Sequence, residues 1–313
     1  MSFSIKPVGF MLASTCSLSL TSLVAKLLTG YMSTELLNLL RFVLPAMLMV
    51  WLMMMTTWEV PKRKDLPALM MRALFITLTQ FCFIYALTTL SLVETVVLFS
   101  TGPLFIPLLE KLIFGTKVKN ITIVALCLAF VGVGIQAGLG GEINWRPELL
   151  IGLAAGLGNA SAQVCMFRST KSHLSALGIN TWCMSFAAVL SMLLFWFSSG
   201  GSGLSELSTL LHQEFTWVVL VSLFCISITA ISTQIFRVKA YKLVESGAQL
   251  SPLIFTNLLF VFLWQQLFFN EVLEPQKIFG LGLIIIATLL NTFSGLIEKR
   301  WTRRMIKRDK AAC

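Results

Sequence analysis

Runs of about 20 apolar residues, the length that crosses the hydrocarbon core of a bilayer, recur along the whole sequence. They fall near 7–28, 34–56, 68–90, 93–114, 120–139, 149–169, 175–198, 215–236, 245–269 and 277–297. Between them the polar stretches are short, and only 57–67, 140–148 and 199–214 exceed a turn. The pattern predicts an all-α integral membrane protein with ten transmembrane helices and no soluble domain. The first run, after Lys6, is too long for the apolar part of a signal peptide and is read as a retained helix.

The polar interruptions also set an orientation. With both termini in the cytoplasm, that side receives Lys6, the group Lys62, Arg63, Lys64 and Arg72, then Lys111, Lys117 and Lys119, then Arg168 and Lys171. Arg237, Lys239, Lys242 and the tail from Lys299 to Lys310 follow, so 20 of the 24 basic residues lie there. Only Lys26, Arg41, Arg146 and Lys277 fall on the outer half. Cytoplasmic enrichment in Lys and Arg is the ordinary rule for short loops, and the reversed topology would invert it. The tail, with Trp301 at the interface, reads as a basic juxtamembrane anchor.

Composition agrees with lipid as the main solvent. Of 313 residues 57% are apolar and 12% charged, with a mean hydropathy of +0.85, whereas about a quarter of the residues of a soluble domain are charged. The net charge of +10 does not point to nucleic acid, because the basic residues sit between spans instead of on one folded face. Seven cysteines show no CxxC spacing, and six of them lie within apolar runs, so no disulfide framework or zinc site is expected. His173 and His212 fall in loops on opposite sides of the membrane with no second ligand at metal spacing. There is no Walker lysine in a glycine-rich loop. No metal, no cofactor and no catalytic set are expected, which disfavours a membrane enzyme. A channel or accessory membrane subunit remains the alternative to a carrier.

The two halves share a rhythm of five spans each. Leu92-Val93-Glu94-Thr95 ahead of Pro103 is echoed by Leu243-Val244-Glu245-Ser246 ahead of Pro252. An odd number of spans per half places the halves in opposite orientations, as in many secondary transporters. On VAKLL (Val24 to Leu28), LLRF (Leu39 to Phe42) and LSLVETVVLFSTGPLFIPLL (Leu90 to Leu109) the first half resembles the EamA-type transporters of the drug/metabolite transporter superfamily. The second half resembles them on AAGLGNASAQVCMFR (Ala154 to Arg168), Ala240-Tyr241, SGAQLSPLIFTNLLFVFLWQQLFFNE (Ser246 to Glu271) and FGLGLIIIA (Phe279 to Ala287). The glycine-glutamate pair that often closes a repeat's fourth helix is degenerate in both halves, as Gly115-Thr116 and Asn270-Glu271. The resemblance implies two inverted five-helix repeats, 1–145 and 146–298, before a basic tail at 299–313. It also implies a central cavity, alternating access without nucleotide hydrolysis, and a small metabolite such as an amino acid or amine derivative as solute. A bacterial inner membrane and a monomer or homodimer are expected.

Polar groups at membrane depth are costly and face protein or a wet cavity. Candidates for a substrate path are Ser14 and Thr21 in the first span, Gln80 in the third, and Asn159 and Gln163, spaced i, i+4 in the glycine-rich sixth. Gln249 and Thr256, on the face of Pro252, complete the set. Each competes with a helix–helix contact as its explanation. Gly102 with Pro103, and Pro252 in the matching place of the second half, are candidate hinges, because proline leaves the i−4 carbonyl unpaired. Lys26 and Arg41 form an outer basic pair. Either they attract an anionic part of the solute, or they are ion-paired with Glu94 or Glu35. Arg168, Arg237 and Glu245 lie near helix ends, where snorkelling to the interface is expected.

Overall fold

The computed structural model describes residues 5–102, 104–105, 108–109, 120–136, 147–199, 216–243, 253, 256–269, 275, 278–287 and 289–290. All regular structure among them is helical. In chain order the helices are α1 (Ile5–Leu28), α2 (Thr34–Met55), α3 (Leu66–Thr89), α4 (Leu92–Phe99), α5 (Asn120–Gln136), α6 (Pro147–Ser169), α7 (Ala176–Ser199), α8 (Thr216–Lys242) and α9 (Thr256–Phe268). A tenth described helix, α10, covers Ile278–Ala287. Six of them, α1, α2, α3, α6, α7 and α8, are long and apolar enough to cross a membrane.

Local chemistry explains where these helices start. Ser33 caps α2 by accepting the Leu36 amide, and Pro67 opens the first turn of α3, where a missing N–H costs nothing. At α4 a capping box operates: Ser91 Oγ accepts the Glu94 amide while Glu94 Oε2 accepts the Ser91 amide. The starts and ends of the long helices lie within two residues of the apolar runs, with one exception. The run at 215–236 stops at the first charge, but α8 continues to Lys242. Nothing in Arg237-Val238-Lys239-Ala240-Tyr241 breaks a helix, and Val238, Ala240 and Tyr241 are buried.

The chain divides into two compact units, and each draws on both halves of the sequence. The first comprises Met1–Gly102 and Arg146–Val272, the second Pro103–Trp145 and Leu273–Cys313. In the first unit α3 runs along α6, α1 along α8 and α2 along α7; α1 also meets α9, and α4 meets α6. Exchanging every helix for the one five places away converts α1–α8 into α6–α3 and α1–α9 into α6–α4, and leaves α2–α7 unchanged. The packing therefore maps onto itself when the halves are swapped, as expected of a repeat. In the second unit Leu104, Ala125, Ala129 and Ala287 pack together, and Gly132 of α5 lies so close to α10 that a Cβ would stand 2.7 Å from the Gly280 carbonyl oxygen.

What the helices leave outside is apolar. Met47, Trp51 and Met54 of α2, Val189, Met192 and Phe197 of α7, and Trp217, Val221 and Phe224 of α8 are all exposed. A water-facing protein does not present such continuous apolar faces; lipid accommodates them.

Candidate functional site

Every polar candidate in α1 touches another helix. Ser14 Oγ donates to the Thr233 carbonyl of α8 at 2.9 Å. Thr21 Oγ1 lies 2.8 Å from the Ser17 carbonyl and 2.9 Å from Thr229 Oγ1, also on α8. Thr256 Oγ1 is 2.8 Å from Thr15 Oγ1, and Ser19 Oγ accepts from Trp264 Nε1 at 3.0 Å, both linking α1 to α9. Short hydroxyl side chains let the backbones approach and give the contact direction. The result is a polar seam along α1, α8 and α9, with the stripe of Ser14 and Thr21 directed at α8.

The glycines of α6 serve a matching contact on the other side. A Cβ on Gly156 would stand 2.6 Å from Thr101 Oγ1 and 2.8 Å from the Leu98 carbonyl oxygen, and one on Gly158 would collide with Thr79 Oγ1. Removing the side chains lets α6 lie against α3 and α4. It also brings Gly102, which is buried, next to the Gly156 carbonyl and to Asn159 Nδ2. Asn159 and Gln163 meet as their spacing predicts: Gln163 Nε2 donates to Asn159 Oδ1 at 3.4 Å. From α8, Tyr241 Oη donates to Gln163 Oε1, again at 3.4 Å. Gln80 and Thr79 sit mid-way along α3; Gln80 Oε1, Thr79 Oγ1 and, on α9, Asn257 Oδ1 are buried with no hydrogen-bond partner among the described residues. Such groups are costly unless something polar reaches them. Pro103, Gln249 and Pro252 lie outside the described residues.

The outer basic pair separates into two roles. Lys26 Nζ donates to the carbonyls of Leu87 at 2.7 Å and Leu90 at 2.8 Å, closing the C-terminal end of α3. A cation there satisfies orphan carbonyls and the helix dipole together. Arg41 has a buried Nη1 with no hydrogen-bond partner and makes no ion pair with Glu35 or Glu94 among the described residues. Glu94 accepts the Ser91 amide in the capping box instead. Pro45, buried inside α2, lies one turn beyond Arg41 and removes the donor for its backbone carbonyl.

Two buried cations are ones the sequence pattern placed at the cytoplasmic margin. Arg72, grouped above with Lys62, Arg63 and Lys64, is the seventh residue of α3 and 1% exposed. Its Nη2 donates to Asn180 Oδ1 of α7 and to Gln234 Oε1 of α8, each at 3.0 Å, and its buried Nη1 has no partner among the described residues. Arg237 of α8 is 6% exposed, so it does not snorkel, and its Nε likewise has no partner among the described residues. The extension of α8 through the interface holds it inside, while Arg168 does reach solvent. The tell in the sequence was the apolar stretch on both sides of Arg72, Leu69-Met70-Met71 and Ala73-Leu74-Phe75, which no loop requires.

Among the described residues no group of three or more His, Cys, Asp or Glu could hold a metal ion. The EamA-like transporter family is matched twice, over residues 5–136 and 146–293. No curated protein matches in sequence. A solved crystal structure whose description names no activity superposes with a TM-score of 0.58 at 15% identity, covering 93% of this chain and 97% of its own; that likeness concerns the fold.

Proposed function

Because the chain belongs to the EamA-like transporter family, matched along both halves, we propose that it is a secondary carrier moving a small metabolite, such as an amino acid or amine derivative, by alternating access. The observation that carries the reading is the exchange symmetry of the packing. The seams α1–α8 and α3–α6 are interchanged when the halves are swapped, and both carry small and polar contacts, Ser14 and Thr21 on one and Gly158 against Thr79 on the other. In a carrier of two repeats, one repeat rocking against the other exposes a central site alternately to each side. Ten spans, two inverted repeats at 1–145 and 146–298, and cytoplasmic termini are the arrangement this mechanism calls for. A bacterial inner membrane is the setting the basic asymmetry suits, with the protein acting as a monomer or homodimer.

In this scheme Gln80, Asn159, Gln163 and Gln249 offer hydrogen bonds to the solute. Arg41 supplies a cation toward the outer end. Ser14, Thr21 and Thr256 act on the sliding seams. Gly102-Pro103 and Pro252 provide the bends. The family transports and does not catalyse, so no reaction is assigned.

Reconstitution tests the proposal. Proteoliposomes loaded with a mixture of unlabelled amino acids and amines should accumulate at least one of them, labelled, by counterflow, and vesicles without the protein should not. Pro103→Ala or Pro252→Ala should slow exchange more than it raises the half-saturating concentration. Net flux with no counterflow would indicate a channel, and wild-type exchange in both proline variants would remove the hinges.

A further inference from the structure

Two arginines are buried about Gln234, and among the described residues no carboxylate stands beside them. Arg72 lies about 9 Å along α3 from its first residue at 1.5 Å per residue. Arg237 lies within the last two turns of α8. Gln234, Arg237 and Tyr241 follow at i, i+3 and i+7 and so share one face of α8, and Gln234 accepts from Arg72. Arg72 thus reaches α8 one turn before Arg237, and Tyr241 lies one turn beyond Arg237 on the same face. The described side chains that contact them are neutral: Asn180 and Gln234 on Arg72, with Tyr241 one turn beyond Arg237 and Gln163 bonded to Tyr241. Among the described residues neither arginine is paired with an acid, and each keeps a buried N–H without an acceptor.

Burying one uncompensated guanidinium at membrane depth is expensive, and burying a second, one turn from the first one's partner Gln234, adds to the cost. A folded protein keeps such a pair when an anion arrives. Arginine is suited to this because its planar fork meets a carboxylate or phosphate with two or more N–H groups. The four helices concerned, α3, α6, α7 and α8, come from both halves, and α3–α6 is one of the seams expected to shift in transport. We propose that Arg72 and Arg237, steadied by Asn180 and Gln234, bind an oxyanion group, carboxylate or phosphate, of the transported solute. The inference rests on the carrier reading and narrows its solute: amino acids and other organic acids fit, and amines lacking an anionic group do not.

The full chain in detergent tests this without knowledge of the natural solute. Thermal unfolding is followed against succinate, pyruvate and inorganic phosphate, with choline and agmatine as cationic probes and chloride at matched ionic strength. At least one oxyanion should raise the melting temperature saturably in the wild type. Arg72→Gln and Arg237→Gln should each raise the half-saturating concentration about tenfold or more, the loss expected for one charge-assisted contact, with Arg72→Lys in between. If the glutamine variants do not fold, modification of wild-type Arg72 or Arg237 by phenylglyoxal, located by peptide mass spectrometry, should be slowed by the same oxyanion. Stabilisation by choline or agmatine alone overturns the proposal, as does failure of every oxyanion to protect either arginine. Stabilisation confined to nanodiscs containing phosphatidylglycerol, absent with phosphatidylcholine and added oxyanion, would make the ligand a lipid phosphate and also overturn it. So would a loss of stability in Glu245→Gln that Arg237→Gln reverses, since Glu245 would then be the counter-ion. An oxyanion effect without counterflow leaves the site standing and removes the carrier.

Discussion

At the scale of single residues, the clearest assignment is Lys26. An ammonium group held against two carbonyls at 2.7 and 2.8 Å has its charge committed to the end of α3. Lys26→Met keeps the length of the stem and removes those bonds, so it should lower stability by about 1.5–3 kcal/mol, the range for hydrogen bonds to a charged group. Purified Lys26→Met should melt several degrees lower with unchanged affinity for solute; an unchanged melting temperature with weakened binding would return Lys26 to the solute path. Sequence reading placed the polar candidates of α1, α3 and α6 correctly within helices, but it could not say which had partners. Ser14 and Thr21 are joined to α8, a contact 208 or more residues away along the chain, which no local pattern reveals. Arg237 differs for another reason: the run at 215–236 stops at it, but α8 continues to Lys242. Arg72 lies within the run at 68–90, and what no local pattern shows is that partners on α7 and α8 bury it.

Between helices, the pairing depends on what is absent from side chains. Except at the end of α8, the apolar runs gave the extents of the long helices to within two residues, because a run of the right length has few other solutions. The close approach of α6 to α4 was not legible, although the glycines were: a stripe of small residues does not name the surface it meets. Adding a methyl group at Gly156 sets a carbon 2.8 Å from the backbone oxygen of Leu98, which cannot move aside without shifting α4. Gly156→Ala should therefore destabilise by about 1–3 kcal/mol, the usual effect of overpacking. Gly9, in α1, has nothing within 4 Å of a built Cβ, and Gly9→Ala should leave the protein as stable or gain up to about 1 kcal/mol in helix propensity. Thermal melts of the two variants in parallel check this. A stable Gly156→Ala would mean that α4 and α6 are held apart in the membrane.

For the molecule as a whole, the decisive question is which face is cytoplasmic, and loop contacts reduce it to a single choice. Glu59, in the α2–α3 link, accepts the Ser175 amide at 2.7 Å on its carboxylate and Trp182 Nε1 at 2.8 Å on its backbone carbonyl. Asp65 of the same link stands 3.5 Å from His173 Nδ1, and Lys242, ending α8, donates to the Leu174 carbonyl. The α2–α3 link, the α6–α7 link and the end of α8 therefore occupy one face, as the alternating count of spans requires. Lys62, Arg63, Lys64, Lys171 and Lys242 are exposed on it. The opposite ends of α7 and α8 carry exposed Trp196, Phe197 and Trp217, aromatic residues suited to the interface but nearly uncharged. Since positive loops stay in the cytoplasm, the face with the lysines should be internal. In a variant lacking the native cysteines, Lys64→Cys should resist a membrane-impermeant maleimide applied to intact cells and react after permeabilisation. Gly203→Cys, in the stretch between α7 and α8, should react in intact cells. Labelling of position 64 from outside, with position 203 protected, would invert the whole molecule, because the contacts through Glu59, Asp65 and Lys242 allow no single loop to change sides alone.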